Sequence, residues 1–438
     1  MEILLLDTLP CLKHTNSKQF GYKNNTSCKN AFYIANEVIN YYKHGDTNVH
    51  VLSLDAAKAF DKVWREGLFF KLKDRSDPFI WRLLVNYYSS SNIAISVDGY
   101  KSEIFKTSQG LKQGGILSPF LFNFFIDDLI NSNDNLHVGA LLGSINTSTL
   151  AYCDDILLLS PIESQMNVLV NNCNDYALKW KMVFNAAKSI SYSAKPSLCS
   201  KFSMNNIPIP STSEGLLYLG LPIGIDDYIS EYFNAKMKKV EKAIYSLRGL
   251  GCKANCLSPK TIAFIYKQYC QSIFKFGIET LTVSKPQLNR LNVRQNVLIK
   301  NILNVKHRTR YKVLINVLGI DQIDHIYYKH KIFFYKQVIK NNITNKITKL
   351  LLDHYQDKKP LKNSFFSQLS NLKSEHNINI EPGGLNYHEC ILAINEAFRG
   401  RDNNLFERVS NIINQFEHKH SYIYTRLLNN ALIMIYNT

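Results

Sequence analysis

The stretch AYCDDILLLS, residues 151–160, sets two adjacent aspartates against four consecutive aliphatic residues, Ile156 to Leu159. Such a run belongs in a buried strand, where an ionised carboxylate is costly unless it is paired, hydrogen-bonded or bound to a cation. A hairpin resolves the conflict. With its turn near Tyr152 to Asp155, the aspartates sit at the tip and the aliphatic residues run back into a sheet. The pair needs a further carboxylate from another strand to make a good cation site, and Asp55, closing VHVLSLD (49–55), is the candidate. Taken alone, two adjacent aspartates also suit a turn or a cap. Asp127-Asp128 reads as ordinary helix surface.

Working outward, 438 residues with 45% hydrophobic content can bury a substantial core, which excludes a disordered tail. No apolar run approaches the roughly 20 residues that span a bilayer. Met1 to Leu12 is briefly apolar but contains Glu2 and Asp7 and lacks a basic start, so it does not read as a secretion signal. Nine scattered cysteines suit a reducing, intracellular compartment, nuclear or cytoplasmic, and Cys252 and Cys256 have no second Cys/His pair at zinc-ligand spacing. The net charge of +17 is local: Lys236 to Lys312 holds 17 Lys and Arg against two acids. Interleaved with Tyr and Phe, such a block suits a folded surface facing a polyanion, the plainer alternative being a solvated helical face.

Along the chain, strands alternate with helices from Asn48 to about Tyr218. VHVLSLDAAKAF predicts a buried strand that turns helical after Asp55. NIAISV, Asp98-Gly99 and KSEIFKT predict a hairpin, because Asp-Gly takes positive φ readily. An apolar helix follows Ser118-Pro119, and Ser160-Pro161-Ile162-Glu163 reads as a capping box opening another, with Ile162, Met166, Leu169, Val170, Cys173, Tyr176, Ala177 and Trp180 on its core face. FNAAKSISYSA and LLYLGLPIGI are strand-like, and helices dominate from about Tyr232. The expected organisation is α+β over residues 1–230, a basic helical region over 231–345 and a further helical region over 346–438.

Five segments occur in a telling order: LDAAKAFDKV (54–63), QGLKQGGILSPFLFNFFIDDL (109–129), AYCDDILLLS, FNAAKSI (184–190) and LLYLGLPIG (216–224). They resemble the successive palm motifs of reverse transcriptases, in particular those of LINE-like retrotransposons without long terminal repeats. KFGIETLTVSKPQLNRLNVRQNVLIKNILNV (275–305) is similar to the thumb of that group, so the resemblance covers roughly residues 19–320. It implies a right-hand polymerase palm, an antiparallel sheet with packed helices, followed by a helical thumb. The implied activity is RNA-directed DNA polymerisation, with RNA template, DNA primer and deoxynucleoside triphosphates as partners, no membrane, and two Mg²⁺ ions, or Mn²⁺ in their place, as cofactors.

By the same resemblance, Asp55 and Asp154 are the principal metal ligands, Asp155 supports them, and the Ala56 carbonyl completes the site. Phe60 corresponds to the aromatic residue that crowds the sugar 2′ position, while Asp61 pairs locally. Gln113 and Gly114 lie where the incoming nucleotide is held, with Ser118 and Pro119 completing the motif, and glycines there would allow backbone to approach template and nucleotide closely. Lys188 corresponds to a lysine that neutralises or protonates the leaving pyrophosphate. Tyr218, Leu219 and Gly220 resemble the turn that grips the primer end. Cys153, between Tyr152 and Asp154, is expected to pack rather than react.

The segment QFGYKNNTSCKNAFYIANEVI (19–39) resembles the stretch just upstream of the first palm motif, and the resemblance implies a chain that lacks the earlier fingers, an upstream endonuclease and a C-terminal Cys/His knuckle. That leaves a catalytically inactive remnant binding RNA or RNA–DNA duplex as the alternative to an active polymerase. An intron-maturase-like splicing cofactor is a third reading, for which no distinct RNA-binding module is evident after residue 345.

Overall fold

The structure is a computed structural model of the chain and describes residues 1–193, 195, 201–254, 256–306, 311–355 and 364–376, with single positions 392, 395, 407, 410 and 411 beyond. These residues form two compact units. The first is Met1–Tyr228 together with Val338–Lys359; the second is Ile229–Gln337 together with Pro360–Thr438.

At the centre of the first unit is a sheet of five strands: β1 (His50–Leu54), β2 (Thr149–Tyr152), β3 (Asp155–Ser160), β4 (Ile190–Ser193) and β5 (Ser211–Thr212), in spatial order β5-β4-β1-β3-β2. All pairings are antiparallel except β4 with β5. The register sets Leu54 opposite Ile156, Leu52 opposite Leu158 and His50 opposite Ser160. Ile156 to Leu159 form an internal strand and are fully buried on both faces of the sheet, which is why the run is continuous rather than alternating. Each such side chain stabilises the fold by about 1.5–3 kcal/mol relative to exposure.

On one face, Leu52, Leu54, Ile156 and Leu158 join a core with helices α3 (Arg65–Lys73), α4 (Pro78–Ser89), α5 (Ser118–Asn135) and α6 (Glu163–Lys179). Helix α2 (Cys28–His44), buried over most of its surface, packs on β2. The returning segment joins this unit through a hydrogen bond between the hydroxyls of Tyr33 and Thr348 and through Asn341 Nδ2, which donates to the Asn25 carbonyl. The α+β class and the antiparallel sheet agree with the sequence reading.

Two local expectations fail. No helix follows Asp55: residues 57–62 are turns, with Lys58 at φ 50° and Ala57 N donating to Val183 O, and the next helix starts at Arg65. Pairing of Ala56 with Phe184 captures the backbone that a helix would need. Nor does Ser160 cap α6; it ends β3, its hydroxyl exchanges hydrogen bonds with the backbone of Ile162, and Ile162 is exposed. The remaining residues assigned to that helix's core face are buried. The Asp98-Gly99 hairpin forms as expected, both residues having positive φ.

The second unit is helical, with the long helices Asp226–Ser246, which begins in the first unit, and Lys285–Leu303. Phe233, Met237, Val240 and Ile244 bury one stripe of the former while Lys238, Lys239 and Lys242 stay exposed. Lys236 and Lys300 are buried, so the basic block is not wholly a surface feature, and Arg308 and Arg310 lie outside the described residues. Among the described residues, no helix is long and apolar enough to cross a membrane, and Cys252 and Cys256 are free thiols.

Candidate active site

β2 and β3 meet in a two-residue turn, with Tyr152 paired to Asp155 and Cys153-Asp154 at its tip. Cys153 takes φ 53°, a left-handed conformation costly for a residue with a side chain and so held by its surroundings. One step beyond the last rung of β1 and β3, Leu54 opposite Ile156, come Asp55 and Asp155. Strand alternation turns both away from the face occupied by Leu54 and Ile156. Asp55 is held by its backbone: its amide donates to Ser189 Oγ (3.1 Å) and its carbonyl accepts from Asn185 N (2.8 Å).

The three carboxylates act on one another. Burial, and then the charge of Asp55, hold the Asp154 carboxyl above its ordinary range. Asp155 itself is exposed at the turn, and partial desolvation there, with Asp154 and Asp55, pushes it up to about 6. Among the described residues, none of the three has a cationic side chain within ion-pair distance. Hard oxygen donors converging without a counter-ion fit a divalent cation, which would supply the missing positive charge. Among the described residues, no three acidic, His or Cys side chains are placed to hold a metal ion together as they stand, so the carboxylates lie within electrostatic reach of one another without forming a closed ligand set. The Cys153 thiol beside it is buried and pushed up to about 12 by burial and by Asp154 and Asp155, so it packs and does not ionise.

Phe60 is half-buried, its ring stacked on Phe122 at 4.7 Å, and its carbonyl accepts from Leu111 N. Gln113 is exposed, and its Nε2 donates to Asp61 Oδ1 at 2.8 Å. Asp61 thus orients Gln113. Gly114 takes φ 75° in open space, whereas a Cβ on Gly110 would meet the Asp61 carbonyl at 2.4 Å. The close approach in this loop is therefore to the chain's own backbone. Ala56 is bridged to Phe184 next to Asp55. Lys188 is exposed in the turn 185–188, one residue from Ser189; the charges acting on Asp154 and Asp155 are those of the aspartates themselves.

β6 (Gly215–Tyr218) and β7 (Leu221–Gly224) form a hairpin whose turn residues, Leu219 and Gly220, take φ 52° and 75°. Tyr218 is buried. Its hydroxyl is held well above its ordinary range by burial and by the charge of Asp155, which puts this hairpin within electrostatic reach of the carboxylates.

Sequence reasoning missed several supports. Arg65 is buried and donates to the carbonyls of Gly110 (2.7 Å), Tyr88 and Thr107, fixing the loop that carries Gln113. Asp127 is not plain helix surface: its Oδ1 accepts from Asn16 N at 2.6 Å, while Asp128 pairs with the buried Lys71. Gln19 touches Cys153 itself. None of these had a spacing signal, because each partner is remote in sequence.

Residues 1–223 match the family described as reverse transcriptase (RNA-dependent DNA polymerase). The RNA-directed DNA polymerase from mobile element jockey of Drosophila funebris is 24% identical over 258 residues, covering 57% of this chain and 28% of that protein. The Pol polyprotein from the type-2 retrotransposable element R2DM of Drosophila melanogaster is 27% identical over 180 residues, covering 41% of this chain and 17% of that protein. The chain thus spans well under half the length of these relatives. Among solved structures, apo telomerase from Candida tropicalis is similar with a TM-score of 0.40 and 11% identity, covering 90% of this chain and 59% of that one. With the match running from residue 1 through the carboxylate turn to the β6–β7 hairpin, the chain belongs to the reverse transcriptase family and is related to its LINE-like, non-LTR retrotransposon members.

Proposed function

We propose that this chain is the polymerase part of a non-LTR retrotransposon protein, an RNA-directed DNA polymerase that joins deoxynucleotides from their triphosphates to a primer 3′-hydroxyl on an RNA template. The observation that carries the reading is the convergence of Asp55, Asp154 and Asp155 at adjoining strand ends without a counter-cation. Asp55 and Asp154, supported by Asp155 and the Ala56 carbonyl, would hold two Mg²⁺ ions, or Mn²⁺ in their place. When bound, such ions activate the attacking hydroxyl and neutralise charge on the leaving pyrophosphate.

The chain's own residues then orient the reactants, the larger part of phosphoryl-transfer catalysis. Phe60, backed by Phe122, excludes a 2′-hydroxyl by bulk. Gln113, oriented by Asp61, hydrogen-bonds the incoming nucleotide beside Gly114. Lys188 offsets charge on the pyrophosphate, and the turn Tyr218 to Gly220 holds the primer end. Exposed basic residues of the second unit, Lys238, Lys239, Lys242, Lys253 and Arg290 among them, bind duplex backbone with little sequence preference. Free thiols and this charge suit work inside the cell, in nucleus or cytoplasm.

The test is extension of a DNA primer annealed to an RNA template with Mg²⁺ or Mn²⁺. Metal-dependent extension that disappears in Asp154→Asn is the expected result. Extension surviving that change would overturn the proposal, and salt-sensitive hybrid binding without extension would favour a silent binding remnant.

A further inference from the structure

The turn that carries Asp154 is held from outside its own hairpin. Residues 18–20 run parallel to β2 at its free edge: Ala151 N donates to Lys18 O (3.0 Å) and Phe20 N to Ala151 O (2.8 Å). Between them Gln19, completely buried, reaches the tip of the turn. Its Oε1 accepts from the Cys153 amide at 2.8 Å and from Gly21 N at 3.0 Å, and its Nε2 faces the Cys153 carbonyl at 3.4 Å. Two amide donors meeting one oxygen fix the orientation of the side-chain amide, since the reverse would set donor against donor.

The strip holding Gln19 is itself anchored. The buried Asn123 of α5 donates to the Gly21 carbonyl at 2.8 Å, and Asn16 is bonded to Asp127, Asn131 and Asp134 of the same helix. Gly21 packs so tightly that a Cβ there would lie 2.4 Å from Cys153 Sγ and 2.9 Å from its amide nitrogen. Cys153, the residue so gripped, is the one at φ 53°.

We propose that Gln19 is a positioning residue: it clamps Cys153 in its left-handed conformation and so sets the direction in which Asp154 and Asp155 present their carboxylates to the metal. This rests on the polymerase reading only for its effect on turnover. The clamp ties α5, through Asn123 and Gly21, to the carboxylate turn, so a single rigid path joins the QGLKQGGILSPFLFNFF segment to AYCDD.

The test uses the full chain and three variants. Gln19→Met keeps the volume and removes the hydrogen bonds; Gln19→Glu keeps both acceptor bonds; Asn133→Ala breaks a comparable buried bond, to Thr149 Oγ1 at the other end of β2. Two readouts need no turnover: hydrogen exchange at the Cys153 amide, and Mn²⁺ binding followed by electron paramagnetic resonance. In Gln19→Met we expect exchange at Cys153 to speed up tenfold or more and Mn²⁺ affinity to fall by about 10–100-fold, the range for residues that orient metal ligands. Gln19→Glu should keep the amide protected, and Asn133→Ala should melt earlier with Mn²⁺ affinity unchanged. Primer extension should lose kcat in Gln19→Met at unchanged affinity for primer–template.

Wild-type exchange and Mn²⁺ affinity in Gln19→Met would overturn the proposal, as would an equal loss of affinity in Asn133→Ala. Should Gln19→Met not fold, Gly21→Ala shifts the same turn by steric contact and is expected to lose Mn²⁺ affinity; wild-type affinity there would also overturn it. A wild-type chain that extends no primer would sink the polymerase reading, and hydrogen exchange and Mn²⁺ binding would still decide the role of Gln19.

Discussion

Asp154 and Asp155 illustrate at the scale of single residues how neighbouring carboxylates are kept together at the expense of the fold. Both carboxyls are held above their ordinary range, so the folded chain binds protons that the unfolded chain has released. Stability from such a group is fully present below the unfolded value near 4 and is lost as pH rises through about 6 for Asp155. Asp155→Asn removes that loss. Without divalent metal, it should melt about a degree or two higher than wild type at pH 7, the rise limited by solvent contact of the side chain, and at the same temperature as wild type at pH 3.5; thermal melts in chelator across that range provide the check. Asp154→Asn should abolish primer extension, measured at saturating primer–template. Phe60→Val should relax exclusion of ribonucleotides by about tenfold or more, read as the ratio of kcat/KM for deoxy- and ribonucleoside triphosphates. The carboxylates were legible in the sequence because Asp55 closes one apolar run that predicts a strand and Asp154 stands just ahead of another. Gln19 was not, because a lone glutamine has no pattern until β2 and its neighbour are known.

Elements were legible where local chemistry decides and illegible where a distant partner competes. Asp98-Gly99 made its turn because both residues accept positive φ without help. Residues 57–62 read locally as helix because Ala and Lys favour one, while the pairing of Ala56 with Phe184, 128 positions away, cannot be seen locally. Helix α3 is fixed to α5 and α6 in a similarly non-local way. Lys71 Nζ donates to Phe125 O (2.6 Å) and Tyr176 Oη (2.8 Å), lies 3.9 Å from the Trp180 ring centre and pairs with Asp128. Burial lowers its ammonium to about 8 despite Asp128. The charged form is therefore the costly one in the fold: the cost is present below pH 8 and disappears as pH rises toward 10.5, so this lysine makes stability rise over that interval. Lys71→Met should flatten the rise, which denaturant titrations at pH 7.5, 8.5 and 9.5 would detect; an unchanged slope would rule this account out.

For the molecule as a whole, charge was the readable property. The excess of basic residues between Lys236 and Lys312 anticipates a surface for polyanions, and Lys238, Lys239, Lys242, Arg248, Lys253 and Arg290 are indeed exposed, although Lys236 and Lys300 went inward. Affinity for an RNA–DNA duplex should fall by about a thousandfold or more between 50 and 200 mM salt if six or more phosphates are engaged. Asp154→Asn should bind as wild type does, since its chemistry and that charge lie in different parts of the chain; fluorescence anisotropy with a labelled hybrid measures both. How the chain divides was harder to read, because nothing in the composition of residues 338–359 shows that they belong with the first unit.

That return has a consequence for the order of events during synthesis. β1 emerges from the ribosome early, yet its two neighbours, β3 and β4, begin only at Asp155 and Ile190, and the segment bearing Thr348 comes last of all. The first unit cannot close until the intervening residues 229–337 of the second unit have been translated. Contacts so distant in sequence form slowly and leave aliphatic strands waiting, the circumstance in which nascent chains aggregate or require chaperones. Expression with the translation of residues 229–337 slowed should therefore lower the yield of soluble chain, whereas co-expressed chaperones should raise it.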